Sequence, residues 1–467
     1  MSGIPRLPAA LTARARDLGG RFPADFVWGA ATAAPQIEGA VSAEGRTPSI
    51  WDTFARVPGA VAGGDTLDVA DDHFRRWRDD VALMRDLGLG AYRFSIAWPR
   101  VVPSPYGVVN RAGLDFYDRL VDELLASGID PFITLYHWDL PQWQQTVGGW
   151  TDRSTAHRFA EFAVHVGERL GDRVQHWMTL NEPWVYVFLG HLAGVHAPGL
   201  TSEESAVRAM HHSLLAHGLG VQALRAALPT EREIGIALSM SPTEPATPTP
   251  EDIAAAERND LYRNWLFLHP ITHGEYHPLT EDLFREKIPV EEGDLETIAE
   301  PIDFVGINYY SRAVVVGDET VPVTRARETR PDGTYTAMDW EVYPQGLTDI
   351  VAQTHERYAP KAIYITENGS AWEDEQAADG SIVDSSRVAY LLDHLAAATR
   401  CTDTGMPLRG YFAWSLLDNF EWAEGYTKRF GIVGVDYETQ RRTVKQSGAA
   451  YREVLDAHRE ARFPIAE

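Results

Sequence analysis

Cysteine is nearly missing from this chain: Cys401 is the sole one in 467 residues. No intrachain disulfide can form, which fits a reducing compartment. Cys401 lies in the polar stretch Arg400-Cys401-Thr402-Asp403, with no His or Asn beside it, and reads as a spectator thiol rather than a nucleophile. Positive charge is also short. Only 42 Lys and Arg stand against 67 Asp and Glu, a formal net charge of −25. Such a surface repels nucleic acid and anionic membranes, so neither is expected as a partner. Long apolar runs are absent too. No stretch approaches the length of a membrane span. The N-terminus carries Arg6, Arg14, Arg16 and Arg21 without the apolar core of a signal peptide. A cytoplasmic protein is therefore expected. The excess of Ala, Arg and Asp over Lys and Asn points to a GC-rich bacterial source. Oligomeric state cannot be read from these features.

What is present suits a large core, with 44% hydrophobic residues. Eight apolar, β-rich runs recur along the chain: Phe26–Thr32, Ala91–Trp98, Pro131–Trp138, His176–Leu180, Ile234–Met240, Phe304–Tyr310, Ala362–Thr366 and Gly410–Leu416. Near-continuous hydrophobicity marks parallel strands buried on both faces. Helical spacing fills the gaps, as in Phe74, Trp77, Val81, Met84 and Leu87 before Gly88, or Phe159, Phe162, Val166 and Leu170 before Gly171. The pattern predicts α/β architecture: a single (β/α)₈ TIM barrel over residues 1–467, with extended loops at the C-terminal face of the strands. Residues 1–20 are poorly specified. The Pro-rich Ser241–Pro250 reads as a surface loop after the fifth strand, and Val321–Asp339 as a long loop after the sixth, near the pocket mouth.

The strand ends carry large hydrogen-bonding and stacking groups: Gln36, Arg93, His137 with Trp138, Asn181 with Glu182, Asn308 with Tyr310, Glu367, Trp414, and then Glu421 and Trp422. Taken singly, each has an ordinary explanation in a loop or core. Together they match a sugar ring, which offers hydroxyls at its rim and C–H groups on its faces. Gln36, His137, Asn181 and Glu421 suit the rim. Trp414 and Trp422 suit the face. Glu182, in Thr179-Leu180-Asn181-Glu182-Pro183, and Glu367, in Ile365-Thr366-Glu367-Asn368-Gly369, supply the paired carboxyl groups that glycosidic cleavage requires. Spacing alone does not say which is acid and which is nucleophile. This chemistry calls for no cofactor and no metal. His269, His273 and His277 invite a ligand reading, but Pro270 and Pro278 are expected to break the helix that would align them. His211 and His212 read as packing and helix-surface residues.

Further stretches include Pro35-Gln36-Ile37-Glu38-Gly39, Tyr92-Arg93-Phe94-Ser95-Ile96, Leu135-Tyr136-His137-Trp138-Asp139-Leu140-Pro141, Gly306-Ile307-Asn308-Tyr309-Tyr310 and Trp414-Ser415-Leu416-Leu417-Asp418-Asn419-Phe420-Glu421-Trp422. With these, the chain resembles family 1 of the glycoside hydrolases, the β-glucosidase family, from Phe26 to about Tyr451. The resemblance implies a retaining β-glucosidase acting on a small β-glycoside or oligosaccharide by double displacement. Glu182 would be the general acid/base and Glu367 the nucleophile, supported by Arg93 and Tyr310. Asn181 would hold the sugar 2-hydroxyl, and Gln36, His137, Glu421 and Trp422 the remaining hydroxyls. Asn308 would position the carboxyls, Phe430 would close the apolar side, and Trp340 would form an aglycone platform. An anionic Glu421 at the sugar 4- and 6-hydroxyls would repel a 6-phosphosugar. Transglycosylation, a β-galactosidase or β-fucosidase preference, and a non-catalytic sugar-binding barrel are the alternatives. The chain departs from the family pattern at Ala34-Pro35, at Gln144 and in the Pro-rich Ser241–Pro250 loop, all three expected to flank the pocket rather than its reacting centre.

Overall fold

Each of the eight apolar runs becomes a strand: β1 Val27–Ala31, β2 Ala91–Ser95, β3 Asp130–Tyr136, β4 His176–Asn181, β5 Glu233–Ser239, β6 Phe304–Asn308, β7 Ile363–Asn368 and β8 Leu408–Trp414. In this computed structural model, which describes residues 4–378 and 380–462, the strands pair in parallel and in chain order. β8 returns to β1, with Val27 opposite Gly410 and Ala31 opposite Trp414, and closes the barrel. The lower interior is filled rather than hollow. Phe132 meets Phe412 with ring centroids 4.8 Å apart, Tyr364 meets Phe304 at 5.2 Å, and Met178 is buried in the same cluster. This apolar plug supports the polar groups above it.

The helices follow their apolar spacing. His73–Leu87 ends at Gly88, whose φ of 79° suits a residue without a Cβ. Arg111–Ala126 and Ser154–Leu170 likewise bury one face. No helix among the described residues is long and apolar enough to cross a membrane. Cys401 is buried in the helix Ser385–Asp403, where desolvation pushes its thiol up to about 12.

Several expectations are corrected. Within the poorly specified residues 1–20, Ala9–Gly19 forms a helix that buries Ala15 and Leu18 against the helix Gln446–Arg462; residues 1–3 lie outside the described residues. The two expected loops contain strands. Thr243–Pro245, Ala313–Gly317 and Ala326–Glu328 form a small three-stranded sheet beside the barrel mouth. Pro270 does not end its helix, which runs Leu266–His273. The preceding turn, Leu261–Trp265, is wound as a π-helix. The His269 and His273 rings consequently stack, with centroids 4.5 Å apart. His211 and His212 are both buried: His211 bonds Asp294 and Tyr276, and His212 bonds the Trp150 carbonyl. Gln144 is buried against Thr155 rather than beside the pocket.

The two strands that carry the glutamates are the irregular ones. β4 slips register against β5 between Met178 and Asn181, and β7 slips against both neighbours beyond Ile365. Such bulges re-aim side chains at a strand end. The end of β7 is held close to β8: a Cβ at Gly369 would sit 1.7 Å from the Trp414 carbonyl oxygen. Gly369→Ala should therefore force the two strand ends apart. An overpacking cost of about 1–3 kcal/mol is expected, measured as a lower melting temperature together with weakened sugar binding.

Candidate active site

Glu182 is the first residue after β4, and Glu367 is the penultimate residue of β7. Glu182 adopts φ 48°, Trp138 after β3 adopts φ 78°, and Trp422 adopts φ 51°. Each costs on the order of 1–3 kcal/mol for a residue with a side chain. That all three surround one cavity says that surrounding contacts hold them there. Trp138 is anchored by its Nε1, which donates to the Asn181 carbonyl at 2.9 Å.

Arg93, projecting from β2 and fully buried, organises the floor. Its guanidinium donates to Glu367 Oε1 at 2.6 Å, Asn181 Oδ1 at 2.5 Å, Thr134 Oγ1 at 3.2 Å and the Thr366 carbonyl at 3.2 Å. Tyr310 donates its hydroxyl to Glu367 Oε2 at 2.6 Å, so both oxygens of that carboxyl are held. Asn308 serves Glu182 instead. Its Nδ2 donates to Glu182 Oε1 at 2.9 Å and to Asn181 Oδ1 at 3.1 Å, while its Oδ1 accepts from Thr366 at 2.6 Å. With Oδ1 of Asn181 occupied, its Nδ2 faces His137 Nε2 at 3.0 Å.

Above this floor lies a cavity of about 510 Å³, a size typical of small-molecule sites. Glu182 and Glu367 both line it, as do all the other residues expected at the site except Gln36, Arg93 and Asn181, which lie buried beneath. Two aromatic walls face it. His137 lies parallel to Trp414 and Trp422, with interplanar angles of 16° and 18°. Tyr310, Trp340 and Phe430 group opposite, Tyr310 and Trp340 at 5.1 Å. Gln36 spends its amide hydrogens on Asn419 and the Phe420 carbonyl, leaving Oε1 without a partner. His137 Nδ1 and Glu421 Oε2 are also buried without partners among the described residues. His137 Nδ1 and Glu421 Oε2, on the cavity wall, are thus open to a polar guest or to water.

The two carboxyls sit in unlike fields. Burial, then the charge of Glu367, pushes Glu182 up to about 8. Burial also raises Glu367, but Arg93 and Tyr310 draw it back. When the pair holds one proton, the arginine contact assigns the negative charge to Glu367 and the proton to Glu182. Burial holds His137 well below its ordinary value, aided by Arg93, so the ring is neutral. Burial likewise pushes Glu421 up to about 8. Its anionic form is thereby disfavoured, which weakens the charge repulsion expected toward a phosphosugar.

Sequence reasoning missed Thr366, which orients Asn308, and the pair Trp184 and Arg263 in the cavity wall. Trp184 follows Asn-Glu-Pro directly and could have been found. Arg263 has no local signal, because it arrives from the π-helical turn far along the chain. Replacing Arg93 by Met should leave Glu367 buried without its counter-charge. A stability loss of about 3–5 kcal/mol is expected, and the Glu367 titration, followed by carboxyl NMR, should move to higher pH.

Comparison with known proteins bears on what this arrangement is. The sequence profile of Glycosyl hydrolase family 1 matches residues 18–460. Beta-glucosidase A of Thermotoga maritima is 48% identical over 437 residues, covering 93% of this chain and 98% of that protein. The bifunctional beta-D-glucosidase/beta-D-fucosidase of Bifidobacterium breve is 44% identical over 463 residues, covering 94% and 98%. The solved structure of beta-glucosidase from Thermotoga maritima in complex with glucoimidazole superposes with a TM-score of 0.91 at 47% identity, covering 94% of this chain and 99% of that one. On these grounds the chain belongs to glycosyl hydrolase family 1.

Proposed function

We propose that the protein is a retaining β-glucosidase in which Glu367 is the nucleophile and Glu182 the acid/base. The observation that carries this reading is the unequal support of two carboxyls on one cavity: Arg93 and Tyr310 hold Glu367, while Glu182 has only the Asn308 amide. Glu367 attacks the anomeric carbon as Glu182 gives its proton to the departing glycosidic oxygen. Glu182, now ionised, then takes a proton from water, which attacks the glycosyl–Glu367 ester and releases the sugar with its β configuration. The Tyr310 hydroxyl, whose partner oxygen is altered when Glu367 becomes an ester, re-forms its hydrogen bond to the carboxylate as it departs in the second step, keeping its own proton.

The sugar side is read from orphaned polar atoms. His137 and Glu421 line the cavity with Nδ1 and Oε2 unpaired, Gln36 Oε1 is unpaired behind that wall, and Trp414 supplies the flat face; these groups are read as the sugar's partners. Unmodified β-glucosides are the favoured substrates. The relative with a bifunctional glucosidase/fucosidase name supports β-fucosides as secondary ones. The 1,4-beta-D-glucan glucohydrolase of Thermotoga neapolitana, 48% identical over 437 residues, supports cello-oligosaccharides among the glucosides.

Glu367→Ala should nearly abolish turnover of an aryl β-glucoside, and added azide should restore part of it as the α-glucosyl azide. Normal turnover in that variant, or a β-glucosyl azide, would remove Glu367 from this role. The acid must hold its proton, so kcat/KM should fall as pH rises through about 8, the Glu182 value. Glu182→Gln should lose about 10²–10⁴-fold on substrates with poor leaving groups. It should also lose the alkaline limb on a dinitrophenyl glucoside, whose leaving group needs no proton.

A further inference from the structure

Two arginines line the cavity, and they are in opposite states. Arg312 is fully engaged: its Nε and Nη2 donate to the two oxygens of Glu341 at 2.8 and 3.0 Å, and its Nη1 to Glu244 at 3.0 Å. Arg263 has no acceptor at all among the described residues. Its guanidinium carbon lies 3.8 Å from the centre of the Trp184 ring, and its Nε is shut away from solvent unpaired. Trp184 Nε1, on the same wall, is also a buried donor without an acceptor. Glu328 and Glu182 lend Arg263 their fields, but neither forms an ion pair with it.

The position is on the leaving-group side. Trp184 is two residues beyond Glu182, the group that protonates the departing oxygen, and the charge of Arg263 is felt at Glu182. The guanidinium rests over the Trp184 ring, which holds it against the cavity wall. A planar, fork-shaped donor with an indole N–H beside it matches a carboxylate, which is planar and accepts two bonds at once. A phosphate dianion fits less well, because the field of Glu328 opposes a second negative charge.

We propose that Arg263, backed by Trp184, recognises a carboxylate on the aglycone, so that β-glucosides of aromatic hydroxy acids are preferred over their neutral counterparts. This rests on the glucosidase reading above for the placement of the aglycone. Arg263 then acts on specificity and not on the bond-breaking step.

The test uses a matched pair of substrates, the β-glucosides of a hydroxybenzoate and of the corresponding hydroxybenzamide. Arg263→Met should lower kcat/KM on the carboxylate about tenfold or more, mainly through KM. It should leave the amide within about twofold. Arg263→Lys should recover part of the loss. Comparing each variant with wild type on one substrate cancels differences in leaving-group reactivity. Equal losses on both substrates would overturn the proposal, as would no loss on either. A binding readout independent of turnover separates this from failure of the glucosidase reading. In a Glu367→Gln background, calorimetry should find the carboxylate glucoside bound about tenfold tighter than the amide, an advantage that Arg263→Met removes. Equal affinities there would sink the carboxylate site whatever the reaction proves to be.

Discussion

A single buried guanidinium orders this site. Arg93 bonds Glu367 and Asn181 with its terminal nitrogens and Thr134 with its Nε. A charge so far from solvent is costly unless every donor finds an acceptor. Here the acceptors are the functional groups themselves. Asn181 is thereby locked with its amide toward His137, and Asn308 is locked in turn by Asn181 and Thr366. Glu367, Asn181, Asn308 and Glu182 become one connected network whose orientation is decided at β2. The aromatic plug beneath prevents that network from sinking into the barrel.

Chemical inequality between the two glutamates follows from where they attach. Both are buried, and burial alone would raise both. Glu367 sits within a strand, above Arg93 and within reach of Tyr310 from the end of β6. Glu182 sits one residue past its strand, on a left-handed backbone conformation, and receives only a neutral amide. Neither environment needs a metal or a mobile charge to distinguish the two groups.

Much of this is legible in the sequence because buried parallel strands leave an unmistakable trace. The run Ala91–Trp98 or Phe304–Tyr310 has no solvent-facing positions to interrupt it. The residues that end such runs are forced into the barrel mouth, so the order of residues alone gathers Glu182, Glu367, His137 and Trp414 into one group. Strand limits shift by a few residues, as with Ala362–Thr366, which becomes Ile363–Asn368. The short strands Ala313–Gly317 and Ala326–Glu328 leave little trace, since they pair only with one another and with Thr243–Pro245. The helix Ala9–Gly19 is obscure because its buried face makes sense only against Gln446–Arg462. Pro270 misleads because a proline can be carried inside a helix, as in Leu266–His273. Arg263 is invisible because its neighbours in space, Trp184 and Glu182, lie some eighty residues away.

The meeting of β1 with β8, and of the helix Ala9–Gly19 with Gln446–Arg462, has a further implication for biogenesis. During translation the opening segment has no permanent neighbour on one side until residues near 462 have left the ribosome. The edge of β1 that meets β8 has its native partner only once the last barrel strand has been made. The cleft acquires its finished form only when the two ends of the chain meet, so the barrel's closure depends on contacts, such as Val27 with Gly410, between residues far apart in the sequence.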